Sequence, residues 1–226
     1  MMEENVSFVT EDGVKIVGSY FEGVGERGAL LLHMMPADRS SWHAFAERLQ
    51  AEGFDVLAID LRGHGESVRT REGQTLDFRD FSGEETADAI HDVEAALRFL
   101  EKKGIPLESI AICGASIGAN LGIQAAADAP SIPALLLLSP GISYHGIESL
   151  PDAARLLNTQ SVCIIAAKDD PNNKNVEAEA KEIFDALETE KQIKILDAGG
   201  HGTDMFEAHP ELVDEAAAWL AAAMLT

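Results

Sequence analysis

The chain has 226 residues, 46% of them hydrophobic and 25% charged, a balance that excludes a disordered polymer and allows a large buried core. Its 39 acidic residues outnumber its 17 basic ones and give a formal charge of -22, a field that repels nucleic acid and anionic lipid surfaces. No Pro-, Gly- or Ser-rich linker divides the sequence, so a single domain over residues 1–226 is expected.

The amino-terminal Met1-Met2-Glu3-Glu4-Asn5 has no basic segment followed by an apolar one, so it does not read as a secretory signal and a cytoplasmic product is expected. Apolar runs such as residues 134–138 are far too short to span a bilayer. Two β-type runs, 6–10 and 15–21, flank the turn-forming Glu11-Asp12-Gly13 and predict a hairpin. Residues 29–32 are a continuous apolar run, and a helical pattern with Trp42, Phe45 and Leu49 follows over 41–52, stopped by Gly53.

A buried strand is predicted over 56–61 and one amphipathic helix over 85–103, ending at Gly104. The pattern then runs strand 110–113, helix 117–127, strand 132–138, strand 162–166, helix 176–187, strand 192–196 and helix 210–225. Such alternation predicts an α/β fold: a mostly parallel eight-stranded sheet in a three-layer α/β/α sandwich. Cys113 and Cys163 fall in core strands with another strand between them, too far apart for a disulfide, so two free thiols are expected. The acidic residues Glu177, Glu179, Glu182 and Asp185 read as a solvated helix face.

Chemistry concentrates where strands end. Gly114-Ala115-Ser116-Ile117-Gly118 lies between a predicted strand and a predicted helix, and a serine there is either a nucleophile or a simple helix cap. His201 sits in the loop Asp197-Ala198-Gly199-Gly200-His201-Gly202 after the last strand, and Asp169 and Asp170 follow the penultimate one. His33-Met34-Met35-Pro36 follows the first buried strand and Asp60-Leu61-Arg62-Gly63-His64-Gly65-Glu66-Ser67 the next. His43, His91, His145 and His209 fit no metal-ligand spacing, and neither a phosphate-binding nor a dinucleotide glycine fingerprint occurs. No metal and no cofactor is expected.

Together these motifs, in this order, resemble the α/β-hydrolase fold superfamily over nearly the whole chain. The resemblance implies a serine hydrolase with Ser116 as nucleophile, His201 as base and Asp170, three residues after the small Ala167, as the orienting acid; Asp169 is the competing carboxylate. It also implies an oxyanion hole made by the backbone N–H groups of Met35 and Ile117, although Met34 stands where relatives carry glycine and leaves open which amide of that loop faces the substrate. His33 reads as a structural hydrogen-bonding residue, and the Asp60 to Ser67 loop, with His64, as scaffold. Only residues 141–160 lie where relatives insert a lid, so no large cap and an open site are expected, with Met34 and Tyr144 as pocket walls.

The activity implied is hydrolysis of small-molecule carboxylic esters of short to medium acyl length through an acyl-enzyme. A thioesterase, a dienelactone-type hydrolase or a peptidase would use the same triad, and a noncatalytic binding protein could keep the fold.

Overall fold

The computed structural model describes residues 3–24 and 26–225; Met1 and Met2, part of the amino-terminal reading above, lie outside them. Strands β1 (Glu3–Val9) and β2 (Val14–Phe21) form the predicted hairpin, followed by β3 (Gly28–Leu32). After a short 3-10 turn, Arg39–Trp42, come helix α1 (His43–Ala51) and strand β4 (Asp55–Ile59). Helices α2 (Gly83–Ala87) and α3 (Ile90–Lys102) lead to β5 (Ile110–Ala115) and α4 (Ile117–Asp128). The rest is β6 (Ala134–Leu138), the short α5 (Leu150–Ala153), β7 (Ser161–Ala167), α6 (Val176–Ala186), β8 (Glu190–Leu196), α7 (Asp204–Ala208) and α8 (Glu211–Ala223).

The long strands pair in the order β1-β2-β4-β3-β5-β6-β7-β8, with Arg69–Thr70 as an added two-residue strand on β2. From β4 to β8 all neighbours are parallel, and β1 and β2 join antiparallel at one edge. Every residue of β3, β4, β5 and β6 is buried, as expected of strands covered on both faces. Alternation divides their side chains. Leu30, Leu32, Ile110 and Ile112 pack with α3, α4 and α6, whereas Ala29, Leu31, Ala111 and Cys113 pack with α1 and α8. Each fully buried Leu or Ile contributes about 1.5–3 kcal/mol by leaving water, so the sheet is held mainly by these two layers. Cys113 and Cys163 are both buried free thiols, each opposite Leu136 of the intervening β6.

The order β4-β3-β5 reverses the direction in which the sheet grows, and loops leaving opposite sides of such a switch point open a crevice at the carboxyl ends of the strands. His33 follows β3 there and Ser116 follows β5, while Ser139, Asp170 and His201 follow β6, β7 and β8. Chain order alone therefore delivers the candidate residues to one edge.

One long helix was expected over 85–103, but two form. Ser82 and Glu85 make reciprocal capping hydrogen bonds that start α2 at Gly83. Past Ala87 the carbonyls of Asp88 and Ala89 accept from His91 and Asp92, three residues on, so the turn tightens before α3 begins. The first turn of α3 then carries Asp92, fully buried, against Arg62. Arg62 donates to Asp92 Oδ1 from Nε at 3.0 Å and Nη2 at 2.9 Å, and to Asp12 Oδ2 from Nη1 at 2.7 Å. Burial pushes the Asp92 carboxyl up to about 6, against the lowering pull of Arg62. Removing this partner leaves much of a guanidinium charge buried and uncompensated. Asp92→Ala is expected to cost about 3 kcal/mol of folding free energy, measured by equilibrium denaturation, and a loss below about 0.5 kcal/mol would contradict the pairing argument.

Candidate active site

Ser116 joins β5 to α4 with φ 54 and ψ -120, a left-handed conformation that a side chain rarely adopts. Such backbone costs on the order of 1–3 kcal/mol and survives only where surroundings impose it. Here they do: a Cβ on Gly114 would overlap the Gly118 carbonyl, and one on Gly118 would meet the backbone oxygens of Leu32 and His33. The Ser116 N–H donates to Leu138 O at 2.8 Å, tying the turn to β6. The hydroxyl makes no capping bond to α4, so the helix-cap alternative finds no support in the geometry.

His201 and Asp170 are brought together. His201 Nδ1 lies 2.6 Å from Asp170 Oδ2, and both side chains are buried. Asp170 Oδ1 accepts from the amides of Asn172 at 2.8 Å and Asn173 at 3.1 Å, so both carboxylate oxygens are engaged. A carboxylate on Nδ1 holds the proton there and leaves Nε2 with its lone pair. Asp169 does different work. Its Oδ1 accepts from the amides of Gly199 at 2.8 Å and Gly200 at 3.0 Å, which braces the His201 loop and keeps the exposed Asp169 carboxyl below the usual range.

The His201 loop reaches the Ser116 turn through Gly202. A Cβ at Gly202 would lie 3.2 Å from the Ala115 Cβ, and its N–H donates to Ser139 Oγ at 3.0 Å. Ser139, with φ 48, was not singled out from the sequence; only its place after a strand could have marked it. No hydrogen bond joins Ser116 to His201 among the described residues, and Tyr144 stands beside both. Its ring is edge-on to the imidazole at 6.4 Å between centroids, and hydrogen bonding from Ser116 and Asn173 partly offsets the burial that raises its phenol pKa.

Met35 and Ile117 line one small recess together with Leu61 and His64. His33 is fully buried, and its Nδ1 donates to Met34 O at 2.8 Å while its Nε2 accepts from Leu61 N at 3.0 Å. Burial pushes its pKa down to about 3, so the ring stays neutral and keeps this tautomer near pH 7. In a trans peptide the carbonyl and the following N–H point in opposite directions. Holding Met34 O therefore turns the Met35 N–H away from His33, and neither it nor the Ile117 N–H has an acceptor among the described residues. Met34 itself is buried, its sulfur packed against Gly202 beneath the loop.

The Asp60 to Ser67 loop supports this arrangement. His64 donates from Nδ1 to Arg62 O at 3.0 Å, stacks on Phe78 with centroids 4.0 Å apart and meets the His33 ring edge at 4.9 Å. Asp60 binds Arg39, which also binds Glu66, and Ser67 Oγ accepts from Val17 N at 2.9 Å. A cleft of about 420 Å3 between Phe21, Arg39, His43 and Glu66 lies beside that network, where the cation is already engaged.

Glu179 corrects the reading of its helix face. It is half-buried, and its Oε2 accepts from Ile142 N at 3.1 Å and from Asn173 Nδ2 at 3.0 Å, linking the loop after β6 to the Asp170 turn. No group of three His, Cys, Asp or Glu among the described residues is placed to hold a metal ion, and no described helix is long and apolar enough to cross a membrane.

The tightness of the Ser116 turn is testable. Gly118→Ala is expected to lower stability by about 3 kcal/mol, because its methyl meets backbone rather than a movable side chain. Chemical denaturation measures this, and an unchanged midpoint would contradict the close approach.

Comparison with known proteins agrees with this architecture. An esterase of Pyrococcus furiosus superposes with a TM-score of 0.81 at 20% identity, covering 99% of this chain and 93% of the other. A dienelactone hydrolase of Anabaena variabilis gives 0.74 at 18% identity, covering 99% and 97%. In sequence, the dihydrolipoyllysine-residue acetyltransferase component of the acetoin cleaving system of Cupriavidus necator is 29% identical over 134 residues, 59% of this chain. The aligned part spans only 31% of that relative's length. Residues 30–161 match the family described as alpha/beta hydrolase fold, and the chain belongs to that family.

Proposed function

We propose that the protein is a serine hydrolase that cleaves carboxylic esters through an acyl-enzyme, with Ser116 as nucleophile, His201 as general base and acid, and Asp170 as the orienting carboxylate. The observation that carries this reading is the Ser116 turn: a hydroxyl presented on forced positive-φ backbone, capping nothing, beside a buried Asp170–His201 pair. A structural serine has no need of such a backbone.

The reaction follows from the roles. His201 Nε2 takes the Ser116 proton as Oγ attacks the ester carbonyl, and Asp170 stabilises the imidazolium without accepting a proton. The negative oxygen that develops is met by the N–H groups of Met35 and Ile117, fixed before the reaction starts. The intermediate collapses with loss of the alcohol, protonated by His201, and water then releases the acid by the same steps in reverse.

Substrate size is read from the walls. The recess lined by Met35, Ile117, Leu61, His64, Phe78 and Phe81 has a volume of only about 10 Å3, close to one water. The chain between β6 and β7 contributes a two-strand hairpin and the four-residue α5. Both observations favour short acyl groups over long ones, which would find little apolar wall.

Ser116→Ala is expected to abolish ester turnover and covalent labelling by a fluorophosphonate while the melting temperature stays within a few degrees; retained activity would sink the assignment. The two neighbouring aspartates are separable by kinetics. Asp170→Asn removes the carboxylate that sets the imidazole tautomer and is expected to lower kcat by about 10^3-fold or more, whereas Asp169→Asn, which only loosens the loop, stays within about ten-fold. Equal losses would contradict the division of labour.

A further inference from the structure

The loop between β6 and β7 holds Tyr144 with more hydrogen bonds than space-filling requires. Gly141 leaves room for contact: a Cβ at that position would come within 2.8 Å of the Tyr144 ring and push the phenol from its place. His145, at φ 49, and Gly146, at φ 87, turn the hairpin that joins Ser143–Tyr144 to Ile147–Glu148. Asn120, buried in α4, donates to Ile147 O at 3.1 Å and accepts from Gly141 N at 3.3 Å. Ser149 Oγ donates to Gly141 O at 2.8 Å, and Glu179 fastens Ile142 to Asn173. Asn173 in turn donates its amide to Asp170, so the hairpin and the orienting carboxylate are parts of one network.

Inside this frame the Tyr144 hydroxyl lies within hydrogen-bonding reach of the Asn173 and Ser116 side chains. It donates to Ser139 O at 3.4 Å, the long limit of a hydrogen bond, and its ring stands edge-on to His201. Burial raises its pKa, so the phenol keeps its proton and remains a donor at working pH. The unengaged amides of Met35 and Ile117 line a separate recess that does not include Tyr144, and on the reading above they serve the oxyanion. The alcohol departs on the side of the imidazole that protonates it.

We propose that Tyr144 is a further catalytic residue of the hydrolase, its hydroxyl donating a hydrogen bond to the alkoxy oxygen of the ester as the tetrahedral intermediate collapses. The inference rests on the serine-hydrolase reading above. In that step the bond between the carbonyl carbon and the alkoxy oxygen breaks, the electron pair leaves with the oxygen, and the proton it gains comes from His201 Nε2. Tyr144 keeps its own proton. Its contribution grows with the negative charge on the departing oxygen, so it matters most for alkyl alcohols and little for nitrophenol.

A purely structural tyrosine would affect all esters alike. The test compares wild type with Tyr144→Phe on acetate esters whose alcohols run from nitrophenol to ethanol, reading kcat/KM. The expected result is a loss of about ten-fold on the ethyl ester and under about two-fold on the nitrophenyl ester, a steeper dependence on leaving-group pKa. Uniform loss across the series, or no loss, overturns the role of Tyr144 while wild-type labelling by a fluorophosphonate leaves the hydrolase reading standing. Failure of the wild type both to label and to turn over any ester overturns the reading itself.

Discussion

The site depends on a close approach of backbone to backbone. The first turn of α4 lies so near the end of β3 that a methyl at Gly118 would strike the carbonyls of Leu32 and His33, and Gly114 is confined in the same way by Gly118. This contact brings the strand carrying His33 against the turn carrying Ser116, at the point where the order of the sheet reverses. The strain at Ser116 is sustained by the close backbone packing of Gly114 and Gly118 rather than by a capping bond of its own hydroxyl. The proposed nucleophile and oxyanion donors are thus positioned by the same contact.

Electrostatic support is divided among carboxylates that would be costly if left alone. The chain carries a formal charge of -22, yet its buried acids are each matched: Asp92 with Arg62, Asp60 with Arg39, Asp55 with the Tyr20 hydroxyl, and Asp170 with His201 and two amides. The first two pairs fix the loop after β4, which stacks His64 under Phe78 and against His33. Through His33 the same loop sets the direction of the Met34–Met35 peptide. A scaffold loop without a reacting group therefore reaches the proposed oxyanion hole by three contacts.

Much of this was legible in the sequence because the signals are local. Continuous apolar runs mark β3, β4 and β6, and glycines flanking Ser116 mark a turn too tight for side chains. The break between α2 and α3 was not legible, since apolar spacing persists through it while the tightened turn sets Asp92 against Arg62, a partner distant in sequence. Glu179 looked like one of four solvated acids, and nothing within its own helix distinguishes it; its partners Ile142 and Asn173 come from other parts of the chain. Asp169 and Asp170 differ only in which way each carboxylate faces, a property of the turn after β7. Long-range partners, rather than residue types, are what a single sequence leaves unread.

The account turns on Ser116 as the atom that forms the covalent intermediate. The most direct measurement is acid quenching during turnover of a slowly deacylated ester, followed by peptide mass spectrometry. A mass increase equal to the acyl group, confined to the peptide containing Ser116 and localised on that residue, is the predicted result. An acyl group carried on another residue, or none trapped while the ester is consumed, would contradict it.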